Sequence, residues 1–189
     1  MKVKNSGVDF VLLRVGYRYF KTGEIIIDTQ FSDNIQGALD AGLDVGVYFF
    51  SQAITEQEAI EEAETVLQQI KNYQVKYPVM IKWYVPTKVE NESEVRTKGL
   101  AAEEITNLVD VFCKKIKSEG YTPGFFANKT SGYETLNLSK LAEYDLWYSE
   151  YQASPAFYYD FKLWEYSSEA KVAGVEDTVE MCIALKSYH

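Results

Sequence analysis

Three times the sequence runs from an amphipathic stretch through a glycine into a short apolar run. KNSGVDFVLLRVG sets Gly7 before a strand near Val8–Val15, LDAGLDVGVYFF sets Gly42 before one near Val45–Phe50, and KSEGYTPGFFAN sets Gly120 before one near Gly124–Ala127. Glycine has no Cβ and takes the left-handed conformation that ends a helix. Apolar stripes at helical spacing fill the intervals: Phe31, Ile35, Ala38 and Leu39; then Ala59, Ala63, Val66 and Ile70; then Ile105, Val109, Phe112 and Ile116. Thr55 and Glu58 read as a capping box for the second of these helices. A shorter helix is expected over Ser139–Glu143, and further strands over Tyr144–Tyr151, Phe161–Tyr166 and Thr178–Ala184. Strands alternating with helices predict an α/β fold with parallel pairing, as an open sheet or a barrel. The helix-poor C-terminal part favours an irregular barrel over a regular eightfold one.

One further strand carries an unusual pair. In YPVMIKWYVPT, Val79, Ile81 and Trp83 alternate with Met80, Lys82 and Tyr84 until Pro86 ends the run. Period-two alternation puts Lys82 and Tyr84 on one face, at the strand's end.

The 189 residues are 47% hydrophobic, which suits one domain spanning residues 1–189 with a full core. A net charge of -9 and the lack of a dense Lys/Arg cluster argue against nucleic acid and against electrostatic docking on an anionic membrane or wall polymer, so that any such binding has to be local and shape-driven. Cys113 and Cys182 lack metal-ligand spacing and read as buried thiols. The single histidine is His189, the last residue, which argues against His-dependent nucleophilic catalysis and a histidine zinc site. No metal or cofactor is implied. The start, MKVKNSGVDF, lacks the apolar core of a signal peptide, and no run is long enough to span a bilayer.

The segments SGVDFVLLRVGY, DTQFSDN with Asp28, Phe31 and Asn34, AGLDVGVYFFS, YPVMIKWY, GYTPGFFAN, YDLWYSEY, LWEYSS and VAGVEDTVEM resemble, in order and spacing, the family-25 glycoside hydrolases. These are lysozymes that cut the muramic acid–glucosamine bond of peptidoglycan. The resemblance implies an irregular, flattened TIM-like (β/α) barrel with a groove of carboxylates and aromatic rings, and an extracellular or cell-wall setting. It also implies departures at the catalytic positions. Where the family strand carries an aspartate and then a glutamate, this chain has Lys82 and Tyr84. A family aspartate near the C-terminus corresponds to Glu180, the one survivor of four expected acids. The family's first strand has no counterpart, since MKVKNSG matches the end of the first helix.

Glycoside cleavage normally needs two carboxyls, one to protonate the leaving oxygen and one as base, nucleophile or charge stabiliser. Lysine opposes positive charge at the sugar, and tyrosine, with a reference pKa of about 10, is a poor acid near neutrality. The expectation is a lysozyme-like domain with impaired catalysis and a retained glycan groove. Tyr17, Tyr48, Trp83, Tyr151 and Glu165 are the expected glycan contacts; Trp147 and Trp164 are expected in the core. Two alternatives stand beside it. One is a weak muramidase using Tyr84 with Glu180, or a displaced acid at Glu150 or Glu165. The other is an assembly domain with a vestigial groove. Lys82 is expected to pair with Glu180. Without a first strand, the edge beside Val8–Val15 should be open and invite homo-oligomerisation, a swapped segment or a local rearrangement.

Overall fold

The computed structural model describes residues 2–86 and 92–188; His189 lies outside them. A short helix α1 (Lys2–Asn5) leads into β1 (Phe10–Arg18) and β2 (Ile25–Ile27). There follow α2 (Phe31–Asp40), β3 (Asp44–Ser51), α3 (Glu56–Ile70), β4 (Val79–Trp83), α4 (Ala102–Ser118) and β5 (Pro123–Asn128). A single π-helical turn (Ser131–Thr135) precedes β6 (Asp145–Ser149), β7 (Leu163–Ala170) and β8 (Val179–Ala184). No described helix is long and apolar enough to cross a membrane.

The strands form one curled mixed sheet in the order β2-β1-β3-β4-β5-β6-β7-β8. The run from β1 through β7 is parallel, and β2 and β8 pair antiparallel at the two margins. The helix ends follow the sequence signals. Gly42 and Gly120 stand at φ +74 and +84 after α2 and α4, a backbone that a Cβ would strain. Thr55 Oγ1 accepts from the Glu58 N–H at 3.2 Å. The return half of the capping box is displaced, since the Glu58 carboxylate accepts from the Ile54 N–H at 2.9 Å and pairs with Arg96.

The two faces of the sheet are packed separately. Phe31 and Ile35 of α2, Val66 and Ile70 of α3, and Val109, Phe112 and Ile116 of α4 cover the convex face. They meet Val45, Val47, Phe49, Val79, Ile81 and Phe125 there. The concave face holds a smaller cluster of Tyr77, Met80, Trp147 and Leu163, joined by Phe10, Leu12, Tyr48 and Phe126. Gly46 and Gly124 make that floor possible: a Cβ would sit 2.6 Å from Leu12 Cδ2 at the first and 2.2 Å from Met80 Sδ at the second.

Two expectations are corrected. The segment Ser139–Glu143 forms consecutive turns rather than a helix, because so short a stretch cannot offset the cost of nucleation. The sheet carries a strand not anticipated, β2, paired to Gly16–Arg18. The expected strands are otherwise present, but the sheet does not close. Among the described residues, β1 below Gly16 has no strand on its outer edge, and β8 has none beyond β7. A groove of about 1110 Å³ separates these margins, lined by Leu12, Tyr48, Trp147, Cys182 and Ala184 among others. α1 lies across one end of it, with Lys2 and Val3 against the β7–β8 connection at Gly174.

Candidate functional site on the concave face

The site follows from strand register. Tyr17 pairs with Phe50, and Phe50 pairs with Lys82. Ile81 pairs with Phe125, so Lys82 is level with Phe126, which pairs with Trp147. Residues at one register level share a face. The row Tyr17, Phe50, Lys82, Phe126, Trp147 therefore runs across the concave side, and Tyr48 lies one step below.

Lys82 is half-buried in this row. Its Nζ lies 3.9 Å from the centroid of Phe126, 4.9 Å from Trp147, 5.4 Å from Phe50 and 6.0 Å from Tyr48. A cation over ring faces gains about 0.5–2 kcal/mol, more as water is excluded. The expected pair with Glu180 is not formed: among the described residues no carboxylate lies within ion-pair distance of Lys82. Instead the rings of Phe126, Trp147 and Phe50 surround Nζ and supply the favourable contact in place of a carboxylate.

Tyr84 continues the same face, 40% exposed, with its ring edge-on to Phe50 at 5.2 Å. Burial holds its hydroxyl above the usual tyrosine value. Burial and then the charge of Glu180 push the Tyr48 hydroxyl up to about 12. Both phenols are therefore protonated donors at neutral pH.

The acids divide into three. Asp28 Oδ2 accepts from Arg14 Nε and Nη2 at 2.9 and 2.6 Å, while Oδ1 accepts from the Gln30 N–H at 3.0 Å. Burial opposes its ionisation, but these donors outweigh it and lower its pKa. Glu165 is 1% exposed; its Oε1 accepts from Ser149 Oγ at 2.8 Å and from the Tyr151 hydroxyl at 2.7 Å. Its Oε2 has no hydrogen-bond partner. Glu180 is exposed on β8 and makes no hydrogen bond or ion pair among the described residues. Glu165 pairs with Cys182, two residues from Glu180, and the β7–β8 register shifts immediately beyond that pair. Burial, followed by the charge of Glu165, pushes the Cys182 thiol up to about 12, which leaves it a poor nucleophile.

Of the expected contacts, the structure brings Tyr17, Tyr48, Tyr151 and Glu165 to this side. Trp83 occupies the other face of β4, donates from Nε1 to the Ala53 carbonyl at 3.2 Å, and packs on the convex cluster. It lines, with Tyr84, Phe126 and Leu136, a separate cleft of about 450 Å³. Trp147 is 2% exposed, in keeping with a core role, yet forms one wall of the lysine enclosure. Glu150 is a clamp: it accepts from the Ala156 N–H at 2.6 Å and from the Tyr148 hydroxyl at 3.2 Å. The sequence reading missed Arg14, Phe50 and Phe126. The alternation of β3 could have exposed Phe50, two residues after Tyr48.

The curled α/β sheet thus carries acids, phenols and stacked rings at its strand ends. The chain belongs to the glycosyl hydrolases family 25, whose family model matches residues 1–175. It is 25% identical over 183 residues to a Dictyostelium discoideum protein described as "Probable GH family 25 lysozyme 2", covering 95% of this chain and 78% of that one. The modular autolysin LytC of Streptococcus pneumoniae superposes with a TM-score of 0.80 at 22% identity, over 96% of this chain and 42% of that protein. LytC has also been solved in complex with a synthetic peptidoglycan ligand. The bacterial lysozyme of Streptomyces coelicolor gives a TM-score of 0.73 at 18% identity, over 98% and 85% of the two chains. This chain thus spans less than half of the pneumococcal autolysin and most of the Streptomyces lysozyme.

Proposed function

We propose that residues 1–189 form a single lysozyme-like domain, an incomplete irregular barrel, that holds a peptidoglycan-type glycan on its concave face without cleaving it. The observation that carries this reading is Lys82. A positive charge enclosed by Phe126, Trp147, Phe50 and Tyr48 stands where positive charge on a sugar ring would have to be stabilised. The remaining acids are poorly arranged for hydrolysis. Asp28 is engaged by Arg14, Glu165 is buried and accepts from Ser149 and Tyr151, and Glu180 is exposed with no hydrogen bond among the described residues. What remains is suited to binding. Tyr17, Tyr48 and Tyr84 offer ring faces edged by hydroxyls on this side of the sheet.

The test is to incubate the purified protein with peptidoglycan and follow cosedimentation and release of reducing ends together. Binding without release is expected, and Tyr48→Ala should weaken binding about tenfold, or 1.4 kcal/mol. Release that Glu180→Gln or Glu165→Gln abolishes would instead establish a working muramidase and overturn the proposal.

A second reading, assembly, is favoured by one observation: the groove between the unpaired margins of β1 and β8. Exposed strand edges pair with other chains. On this reading light scattering across a concentration series gives a dimer or larger species that Val11→Pro dissociates. A monomer at every concentration would remove the support.

A further inference from the structure

A second group of rings stands apart from the concave row. The π-helical turn after β5 and the loop joining β6 to β7 follow the C-terminal ends of parallel strands, the same end of the sheet at which Lys82 and Tyr84 lie. There Tyr133, Tyr158 and Tyr159 are 47%, 86% and 43% exposed. They are contiguous: ring centroids are 6.0 Å apart for Tyr133 and Tyr159, and 5.4 Å for Tyr158 and Tyr159.

The group is built rather than loose. Phe157 stacks on the buried Tyr148 at 4.1 Å and carries Tyr133 and Tyr159 on its other sides at 4.9 and 5.6 Å. The Tyr133 hydroxyl accepts from the Tyr158 N–H at 3.0 Å, tying the turn to the loop. Gly132 admits Phe157, since a Cβ there would stand 2.7 Å from its Cζ. The Glu150 carboxylate accepts from the Ala156 N–H at 2.6 Å, just before Phe157. Hydrogen bonds and a stacked anchor thus hold exposed rings in place that bury little surface of their own.

Composition distinguishes the partner. Of the exposed aliphatic residues, Val175, Ile183 and Leu185 lie on or beside β8, and Val85 follows β4. Within the turn and the β6–β7 loop the exposed large hydrophobic side chains are tyrosines, and the Tyr158 and Tyr159 hydroxyls make no hydrogen bond among the described residues. Flat apolar faces edged by free hydroxyls match pyranose rings, which present C–H faces rimmed by hydroxyls. A dry protein interface draws instead on a core depleted in polar edges.

We infer that Tyr133, Tyr158 and Tyr159 form a distal glycan-stacking platform that engages a further stretch of the chain held on the concave face. This rests on the binding role proposed above. Two contacts on one polymer make affinity depend on chain length, because the second contact is intramolecular.

The experiment is calorimetry of the full chain with peptide-free tetrasaccharide and octasaccharide of alternating N-acetylglucosamine and N-acetylmuramic acid. The octasaccharide should bind at least about tenfold tighter than the tetrasaccharide. Tyr158→Ala with Tyr159→Ala should erase that gain and leave tetrasaccharide affinity unchanged, while Tyr158→Phe with Tyr159→Phe should keep most of it. Equal binding of both lengths by the wild type, or a length gain untouched by the alanine pair, would overturn the platform and leave the concave-face reading standing. Binding of neither oligosaccharide would overturn both.

Discussion

Replacing Arg18 with leucine is expected to destabilise the fold by about 3–5 kcal/mol, the usual consequence of leaving a buried charge without its partner. Arg18 is 4% exposed and the Glu62 side chain is fully buried; Nε donates to Glu62 Oε1 at 2.8 Å. The same guanidinium reaches Glu61 at 2.7 Å, the Glu58 carbonyl at 3.1 Å and the Gly23 carbonyl at 2.5 Å, stitching α3 to β1 and its turn. Without it Glu62 would be stranded, with one carboxylate oxygen already lacking a partner. Urea denaturation at constant slope measures the loss.

The pH dependence follows from Glu62. Burial pushes its carboxyl up to about 7, against the pull of Ser51 and Arg18, while the unfolded value is near the reference 4.5. A folded pKa above the unfolded one means the native state holds the extra proton. Stability from this group is therefore fully present below about pH 4.5 and declines as pH rises through 7. In the leucine variant the carboxyl has still more reason to stay neutral. The deficit should accordingly be smaller at pH 5 than at pH 8, and Glu62→Gln should flatten the difference.

The second large effect is a gain. Lys82→Asp combined with Tyr84→Glu is expected to raise release of reducing ends from peptidoglycan by on the order of 10²-fold over the wild type, the lower end of what a positioned acid supplies. The wild-type phenol cannot serve, because burial holds it above its usual value and its ring leans on Phe50. On the proposed reading, the wild-type ammonium, held in its ring of aromatics, would oppose a developing positive charge. Lys82→Asp alone should remain near the wild-type level, since it adds a charge stabiliser but no acid. A double variant no more active than the wild type would mean that the charge exchange on β4 is not what limits turnover.

How much of this was legible from sequence varies with the range of the interaction. Glycines before apolar runs located β1, β3 and β5, because a helix stop and a strand start are both local events. Alternation in YPVMIKWY separated Lys82 and Tyr84 from Val79 and Ile81, and the structure keeps that division. Taken seriously, the same alternation would have removed Trp83 from the glycan contacts. β2 was missed because Ile25, Ile26 and Ile27 offer three apolar residues and no period. The partner of Lys82 could not be read, since Phe126 and Trp147 reach it only through the register of β4, β5 and β6. Arg18 gave no local sign either: it looks like a solvent-facing strand residue until α3 folds over it.

The separate packing of the two sheet faces bears on how such a domain can change trade. Helices α2, α3 and α4 bury their stripes on the convex side, so most of the apolar surface removed from water is insulated from the residues that would meet a ligand. Substitutions among the concave strand ends can then alter chemistry while barely touching the free energy that keeps the chain folded. Such an architecture leaves the concave strand ends open to evolutionary drift while the fold persists.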